Sequence, residues 1–143
     1  MINVLLPVAG LAKRFIECGY SLPKPLIAVD GEPMIRRAMW SLLPGVDPKD
    51  YRLIFVVRED HCVNHDIKLT LQNLFSGWTV EFATVAELTQ GTLCSCLVAE
   101  DLIRPDEPLV IFTPDVCFET TFDVKRDFVD GPYDGALLTF QAN

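Results

Sequence analysis

The sequence lacks the long apolar runs and basic leader that would mark a membrane or secreted protein. No run approaches the roughly 20 apolar residues of a spanning helix. The opening MINVLLPVAG has no basic segment before its short apolar run, which favours a first strand over a signal peptide. Charged residues make up only 22% of the 143 residues and hydrophobic residues 50%, which argues against disorder. The sequence therefore predicts a single folded domain over residues 1–143.

The chain also lacks the cysteine spacing of a disulfide framework. Its five cysteines form an odd set, namely Cys18, Cys62, Cys94, Cys96 and Cys117. Unpaired cysteines are typical of a reducing compartment, so the sequence predicts a cytoplasmic protein.

Positive charge is scarce, with 12 lysines and arginines against 20 acidic residues and a net charge of −8. This balance argues against nucleic acid and anionic membranes as partners. Residues 1–43 differ from the rest, because they hold five basic and three acidic side chains. A small basic region in an acidic protein fits a small anionic ligand.

Strand-like and helix-like segments alternate along the chain. The predicted strands are 2–6, 52–57, 78–84, 109–113 and 134–140, and the predicted helices begin at Gly31-Glu32-Pro33, at Asp60 and at Thr92. The apolar faces of the first two helices comprise Ile35, Ala38, Met39, Leu42 and Leu43, and then Val63, Ile67, Leu71, Leu74 and Phe75. The alternation predicts an α/β fold of three layers, α/β/α, with a mostly parallel Rossmann-like sheet. Ligands of such sheets bind at the carboxyl ends of the strands.

Two predicted loops at those ends carry residues suited to phosphate chemistry. In the loop 8–29, Gly10 allows close backbone approach, and Lys24 is held between two prolines. Lys13 and Arg14 can neutralise phosphate oxygens. Asp115 follows the apolar strand LVIFT, where a carboxylate can meet a metal ion. The alternative is a proline-rich surface loop with solvated lysines and a turn-forming aspartate. Neither the dinucleotide fingerprint nor the P-loop pattern is present.

Three blocks of this sequence resemble the sugar-1-phosphate nucleotidyltransferases, also called nucleotide-sugar pyrophosphorylases. They are GLAKRF, then GYSLPKPLIAVDGEPMI, then TQGTLCSCLVAEDLIRPDEPLVIFTPDVCF, and they cover about residues 2–118 in the family's order. The resemblance implies the nucleotide-diphospho-sugar transferase type of the predicted fold. It also implies a Mg²⁺-dependent enzyme that transfers a nucleotidyl group from an NTP to a sugar 1-phosphate and releases pyrophosphate.

The resemblance also assigns residues to roles. Nucleotide contacts fall on Ala9, Gly10, Leu11, Lys13, Gln90 and Gly91. Arg14 would contact the triphosphate, and Lys24 would hold the sugar phosphate and the α-phosphate. Asp115 would ligate Mg²⁺. PKPL leans toward a sugar acceptor, while a polyol phosphate or phosphocholine is the alternative acceptor.

The sequence departs from the family pattern at several points. Ala12 stands in place of the second glycine, Lys13 in place of a small hydroxyl residue, and Pro114 in place of a small residue. A methyl group at position 12 would crowd the triphosphate if the backbone there needs a positive φ. The family continues past FQAN with a sugar-binding part, so we expect the domain to be incomplete at its C-terminus. These departures favour a further alternative, a non-catalytic nucleotide-binding or assembly subunit.

The histidines and cysteines are weaker candidates for functional residues. His61 and His65 have the i, i+4 spacing of zinc ligands beside Cys62, but H-C-V-N-H lacks the glutamate of H-E-x-x-H. We interpret them as an exposed helix face, and Cys94-x-Cys96 as core packing. An exposed sheet edge could promote a homo-oligomer.

Overall fold

Four parallel strands form the centre of the structure, a computed structural model that describes residues 1–139. They are β1 (Ile2–Pro7), β4 (Tyr51–Arg58), β5 (Thr79–Val85) and β6 (Leu109–Ile111), and a separate antiparallel pair comprises β2 (Ala28–Val29) and β3 (Glu32–Pro33). The helices are α1 (Lys13–Glu17), α2 (Met34–Leu42), α3 (Glu59–His65), α4 (Ile67–Leu74) and α5 (Thr92–Leu97). Short 3₁₀ turns lie at Lys24–Leu26, Pro48–Asp50 and Glu100–Leu102, and a π-helical segment spans Val124–Val129. Within residues 1–139, no helix is both long and apolar enough to cross a membrane.

The order of strands in the main sheet places a crevice beside β1. The order is β5-β4-β1-β6, and all three pairings are parallel. The chain moves outward from β1 to β4 and β5 and then crosses back to the other side of β1 to form β6. A reversal of this kind leaves a crevice at the carboxyl ends of the two strands that flank it. The expected ligand site is therefore where β1 and β6 end.

Both faces of the sheet are covered, as the α/β/α prediction requires. On one face, Leu6, Leu53 and Phe55 belong to a core that includes the apolar sides of α2 and α4. On the other face, Leu5 and Ile54 pack in a smaller core around α5 and the turn that follows it. Strands buried on both faces carry continuous apolar runs, and VLLP in β1 and LIFVV in β4 are such runs. The predicted fold class is confirmed.

A β-hairpin with a two-residue turn, which was not predicted from the sequence, precedes α2. Asp30 and Gly31 have φ of 50° and 84°, the left-handed values of a type I′ turn, and they join β2 to β3. Glu32 and Pro33 therefore lie in a strand. The helix begins at Met34, so the prediction that Gly31-Glu32-Pro33 starts it is wrong by a few residues.

Several predicted elements are shorter or more broken in the structure. The stripe from Asp60 to Phe75 is two helices, because Asp66 takes a left-handed conformation with φ 47° between them. Val63 consequently faces solvent and is 77% exposed, so its assignment to the apolar face is wrong. The helix expected over 92–102 ends at Leu97 and gives way to a 3₁₀ turn.

The last two predicted strands also differ from what the structure shows. Strand β6 ends at Ile111, before the expected Thr113. Residues 134–139 form no strand, and Phe140 lies outside the described residues.

The amino ends of the strands are joined by a buried polar cluster. Arg52 in β4, only 7% exposed, donates to the side-chain oxygen of Asn3 at 2.7 Å and to Glu107 at 2.8 Å. Its Nε also lies 3.3 Å from Glu81. One guanidinium thus links β1, β4, β5 and the segment before β6, at the end of the sheet opposite to the crevice. We call this set of four residues the Arg52 cluster.

Candidate active site

A cleft of about 230 Å³ opens at the carboxyl ends of β1 and β6. Besides Pro7 and Val8 at the end of β1, it is lined by residues from the three blocks singled out in the sequence, namely Gly10, Ala12, Lys24, Pro25, Thr92, Thr113, Pro114 and Asp115. The fold therefore brings segments from the beginning, middle and end of the described chain to one place.

An ion pair between Lys24 and Asp115 crosses the cleft. The ammonium Nζ lies 2.8 Å from the carboxylate Oδ2, although the two residues are 91 positions apart in sequence. The side chains keep 31% and 44% of their exposure, so both groups remain reachable from solvent. A positive and a negative group held together at the mouth of a cleft can act on an anion and a cation respectively.

Two buried prolines fix the backbone that presents Lys24. Pro23 and Pro25 flank it, and Lys24–Leu26 form one 3₁₀ turn closed by a hydrogen bond from the amide of Leu26 to the carbonyl of Pro23, 2.8 Å long. Proline restricts φ, which limits where the lysine stem can start. The ammonium also lies 5.7 Å from the centroid of the Phe15 ring, within the range of a cation–π contact.

Asp115 is positioned by a tight turn just beyond β6. The amide of Phe112 donates to the carbonyl of Leu5 at 3.0 Å, which extends the ladder by one residue. Pro114 is buried, and the amide of Asp115 donates back to the carbonyl of Thr113 at 2.8 Å, closing a three-residue turn. Pro114, which departs from the family pattern, is therefore part of the turn that carries Asp115 to the cleft.

The loop after β1 has an unusual backbone at Ala12. The amide of Val8 donates to the carbonyl of Val56 at 3.0 Å and ties the start of the loop to β4. Gly10 then lines the cleft, and a methyl group there would meet no atom within 4 Å. Ala12 has φ 50° and ψ 38°, a left-handed conformation, and its carbonyl accepts hydrogen bonds from Phe15 and Ile16. The backbone at position 12 thus has the positive φ that would make a glycine the less strained residue.

The other proposed contact residues are placed less directly. Ala9 is buried at the base of the loop, and Leu11 faces the second pocket described below. Lys13 and Arg14 lie on the exposed helix α1, and neither is among the described residues that line the cleft.

Gln90 and Gly91 are exposed and precede Thr92, which does line the cleft. Gly91 has φ 141°, which side chains rarely tolerate, so the turn before α5 needs a glycine. The hydroxyls of Thr89 and Ser95 lie 2.6 Å apart and brace this turn.

Seven of the lining residues were not predicted as site residues, namely Pro7, Val8, Ala12, Pro25, Thr92, Thr113 and Pro114. Only their position could have indicated them, since each lies within two residues of a predicted site residue. Both threonines offer hydroxyl groups for polar contacts with a ligand.

A second pocket of about 150 Å³ adjoins the cleft and shares Gly10, Ala12 and Lys24 with it. Its other lining residues are Leu11, Ile16, Ser21, Leu22, Pro23, Asp60, His61, Asn64 and His65. We call it the histidine pocket. His61 and His65 are partly buried there, so the prediction of an exposed helix face is wrong for both.

The positions of the cysteines agree only in part with the predictions made for them. All five cysteines have free thiols. Cys96 is buried in the core as expected, whereas Cys94 is exposed, so core packing is wrong for Cys94. Among residues 1–139, no group of three or more histidine, cysteine and acidic side chains is arranged to hold a metal ion.

Asp115 alone offers a carboxylate to a metal ion among the described residues of the cleft. Mg²⁺ keeps several waters and is commonly bound through one or two carboxylates together with substrate phosphates. A single half-exposed carboxylate fits a magnesium ion that arrives with a nucleotide, provided that Lys24 releases it. The residues present thus fit a shared protein–nucleotide site.

Solved structures of nucleotidyltransferases share this fold. Inositol-1-phosphate CTP transferase from T. maritima has a TM-score of 0.65 at 21% identity, over 81% of this chain and 44% of that one. UDP-glucose pyrophosphorylase from Acinetobacter baumanii gives 0.60 at 22%, over 82% and 47%. HddC from Yersinia pseudotuberculosis, also solved complexed with GMP-PN, gives 0.67 at 21%, over 94% and 55%. No protein-family model and no curated protein matches the chain.

The likeness confirms at the level of the fold what the sequence blocks indicated. The chain spans about half the length of the solved structures it matches. The TM-scores show a common fold, and at identities near 20% the function has to be argued from the site.

Proposed function

We propose that the chain is the nucleotide-binding part of a Mg²⁺-dependent nucleotidyltransferase that joins an NTP to a sugar 1-phosphate and releases pyrophosphate. The Lys24–Asp115 ion pair carries the proposal. It unites the PKPL block with the aspartate after LVIFT, at the crevice beside β1 where ligands of such sheets bind. The fold shared with nucleotidyltransferases supports it further.

The reaction would need charge neutralisation and positioning more than covalent help from the protein. The ammonium of Lys24, on its proline-fixed turn, would hold the sugar phosphate against the α-phosphate of the nucleotide. Gly10 would let the phosphates approach the backbone closely. Arg14, on α1 beside the loop, would contact the triphosphate and stabilise the pyrophosphate as it leaves.

Asp115 would hold the magnesium ion together with phosphate oxygens and water. When bound, the ion would neutralise charge on the phosphates during attack at the α-phosphorus. Nucleotide contacts by Ala9, Leu11, Lys13, Gln90 and Gly91 belong to the same proposal. So do the single nucleotidyltransferase domain over 1–143 and the cytoplasmic location.

A non-sugar acceptor is a second candidate. A relative in the fold acts, by its name, on inositol 1-phosphate, a polyol phosphate. Lys24 would hold the phosphate of either acceptor in the same way.

A nucleotide-binding subunit without turnover is a third candidate. The left-handed Ala12 and the single carboxylate of the cleft favour it, because both reduce what the site can offer to a triphosphate and a metal.

The decisive experiment measures pyrophosphate release and nucleotide binding with Asp115→Asn. Over a panel of NTPs and phosphorylated acceptors, the purified protein should release pyrophosphate only with Mg²⁺. The rate of pyrophosphate release by the variant should fall by roughly 100-fold or more, since a catalytic metal lowers the activation barrier by several kcal/mol. Its Mg²⁺-enhanced NTP binding, measured by calorimetry, should fall as well.

Asp106→Asn is the matched control, because Asp106 is an exposed aspartate outside the cleft. Binding of NTP without release in the wild-type protein would select the binding-subunit candidate. Full release by Asp115→Asn would refute the assignment of the metal ligand, and neither release nor binding with any nucleotide would refute the proposal as a whole.

A further inference from the structure

The histidine pocket holds an unpaired imidazole group beside the proposed phosphate site. Nδ1 of His61 is buried and has no hydrogen-bond partner within the described part of the chain. A buried polar atom without a partner costs free energy, and a ligand in the pocket would recover that cost if the ring turns Nδ1 toward it. Burial also lowers the pKa of His61, which favours the neutral form of the ring.

The charges around this imidazole favour an anion. Lys24 contributes a cation once a ligand displaces its ion pair with Asp115, and His65 lies one helical turn from His61, with ring centroids 6.2 Å apart. The one acidic side chain among the described lining residues is Asp60, and both of its oxygens accept from Arg58, at 2.8 and 2.7 Å. Because that carboxylate is paired, it repels an entering anion little.

A metal ion fits the pocket less well than an oxyanion. The two histidines have the spacing of zinc ligands, but Asp60 is taken by Arg58, and a third ligand is absent among the residues described. Asn64 and Ser21 instead add an amide and a hydroxyl group that can donate hydrogen bonds. This set of donors is suited to phosphate oxygens.

We propose that the histidine pocket binds a pyrophosphoryl group, through His61, His65 and Lys24. The group would be either free pyrophosphate or the terminal two phosphates of the NTP. The inference rests on the proposed function, and it assigns to α3 a role in holding the leaving group. Lys24 and the Gly10–Ala12 loop border both cavities, so a phosphate chain that begins at the cleft can extend over the loop into the pocket.

The test titrates inorganic pyrophosphate into the full 143-residue chain and into His61→Ala, His65→Gln and the control Lys49→Gln. Lys49 is an exposed lysine outside both cavities. We expect pyrophosphate to bind about tenfold more weakly to His61→Ala and a few-fold more weakly to His65→Gln, with the control unchanged, since a hydrogen bond to a charged group is worth this much. Titration with an NTP and its monophosphate follows, and only the triphosphate should lose affinity in the histidine variants.

Imidazole NMR signals provide a readout that does not depend on whether a variant folds. The chain has two histidines, so each signal of the wild-type protein is assignable, and pyrophosphate should shift both. No binding of pyrophosphate at millimolar concentration, unchanged affinity in both variants, or unshifted imidazole signals at saturation would each overturn the proposal. If free pyrophosphate binds but His61→Ala leaves the affinity for the NTP unchanged, the occupant of the pocket is the released product. If the wild-type chain does not bind the nucleoside monophosphate, that result counts against the proposed function. The pyrophosphate titration then decides alone whether the histidine pocket binds a pyrophosphoryl group.

Discussion

At the scale of single residues, Ala12 is the clearest departure from what the local backbone favours. A non-glycine residue in the left-handed region costs roughly 1–2 kcal/mol. Ala12 nevertheless holds that conformation, and its carbonyl caps the short helix α1. The loop therefore carries strain at the point where it separates the cleft from the histidine pocket.

Ala12→Gly should relieve this strain. We expect the free energy of unfolding to rise by about 0.5–1 kcal/mol, because the gain in the folded state exceeds the added freedom of the unfolded chain. Denaturant unfolding followed by tryptophan fluorescence measures it. Ala28→Gly in strand β2 is the control and should lower stability, and an equal loss in both variants would refute strain at Ala12.

Both members of the ion pair were selected as site residues from the sequence, but their contact with each other was not predicted. Lys24 and Asp115 follow strands of a parallel sheet, so the topology alone directs both toward one edge. Arg14 could not be placed in this way. The direction of a side chain on a five-residue helix depends on how that helix packs, and spacing in the sequence does not encode it.

At the scale of elements, the hairpin β2–β3 sets where α2 begins. Its turn places Arg37 within reach of Val29 and Asp30, and the guanidinium donates to the carbonyl of Val29 at 3.2 Å and to the carboxylate of Asp30 at 2.9 Å. The Asp-Gly pair was a readable signal for this turn, but strands of two residues are too short to show alternation.

Gly31→Ala should destabilise the protein by more than about 1 kcal/mol, since φ of 84° is unfavourable for alanine. Thermal unfolding is the measurement. Gly135→Ala is the matched control, because Gly135 lacks a positive φ and a methyl group there meets no atom within 4 Å. Equal melting temperatures for Gly31→Ala and the wild-type protein would contradict the turn assignment.

Helix breaks were the least predictable elements. The apolar pattern from Ile67 to Phe75 continues smoothly from α3, yet Asp66 interrupts it with a left-handed backbone. Aspartate tolerates that conformation without requiring it, so the sequence gives no sign of the break. Buried strands were predictable because burial on both faces demands an unbroken apolar run.

At the scale of the whole molecule, the two ends of the sheet have different structural roles. The carboxyl ends open into the cleft, while the Arg52 cluster closes the amino ends with charged hydrogen bonds. Desolvation would raise the pKa of Glu107, but hydrogen bonds from the N-terminal ammonium and Arg52 outweigh it and lower that pKa. The stability from Glu107 is thus present above its ordinary pKa of 4.5 and is lost as the pH falls through the lowered value.

Arg52→Met should cost about 2 kcal/mol of stability at pH 7. This is less than the 3–5 kcal/mol of a fully buried pair, because the two carboxylates keep about a quarter of their exposure. Denaturant unfolding from pH 7 to pH 3 should show the difference from wild type shrinking below pH 4.5. Arg104→Met, an exposed arginine beside the cluster, should have little effect, and a pH-independent difference for Arg52→Met would contradict the role of Glu107.

The Lys24–Asp115 pair also makes binding at the proposed site a linked equilibrium. A magnesium ion would take the carboxylate and release the ammonium, and a phosphate would take the ammonium and release the carboxylate. Each ligand would thereby remove a competitor of the other, and thermodynamic linkage requires the same factor in both directions. The ion pair would disfavour the half-loaded states, so metal and phosphate would enter as a cooperative couple.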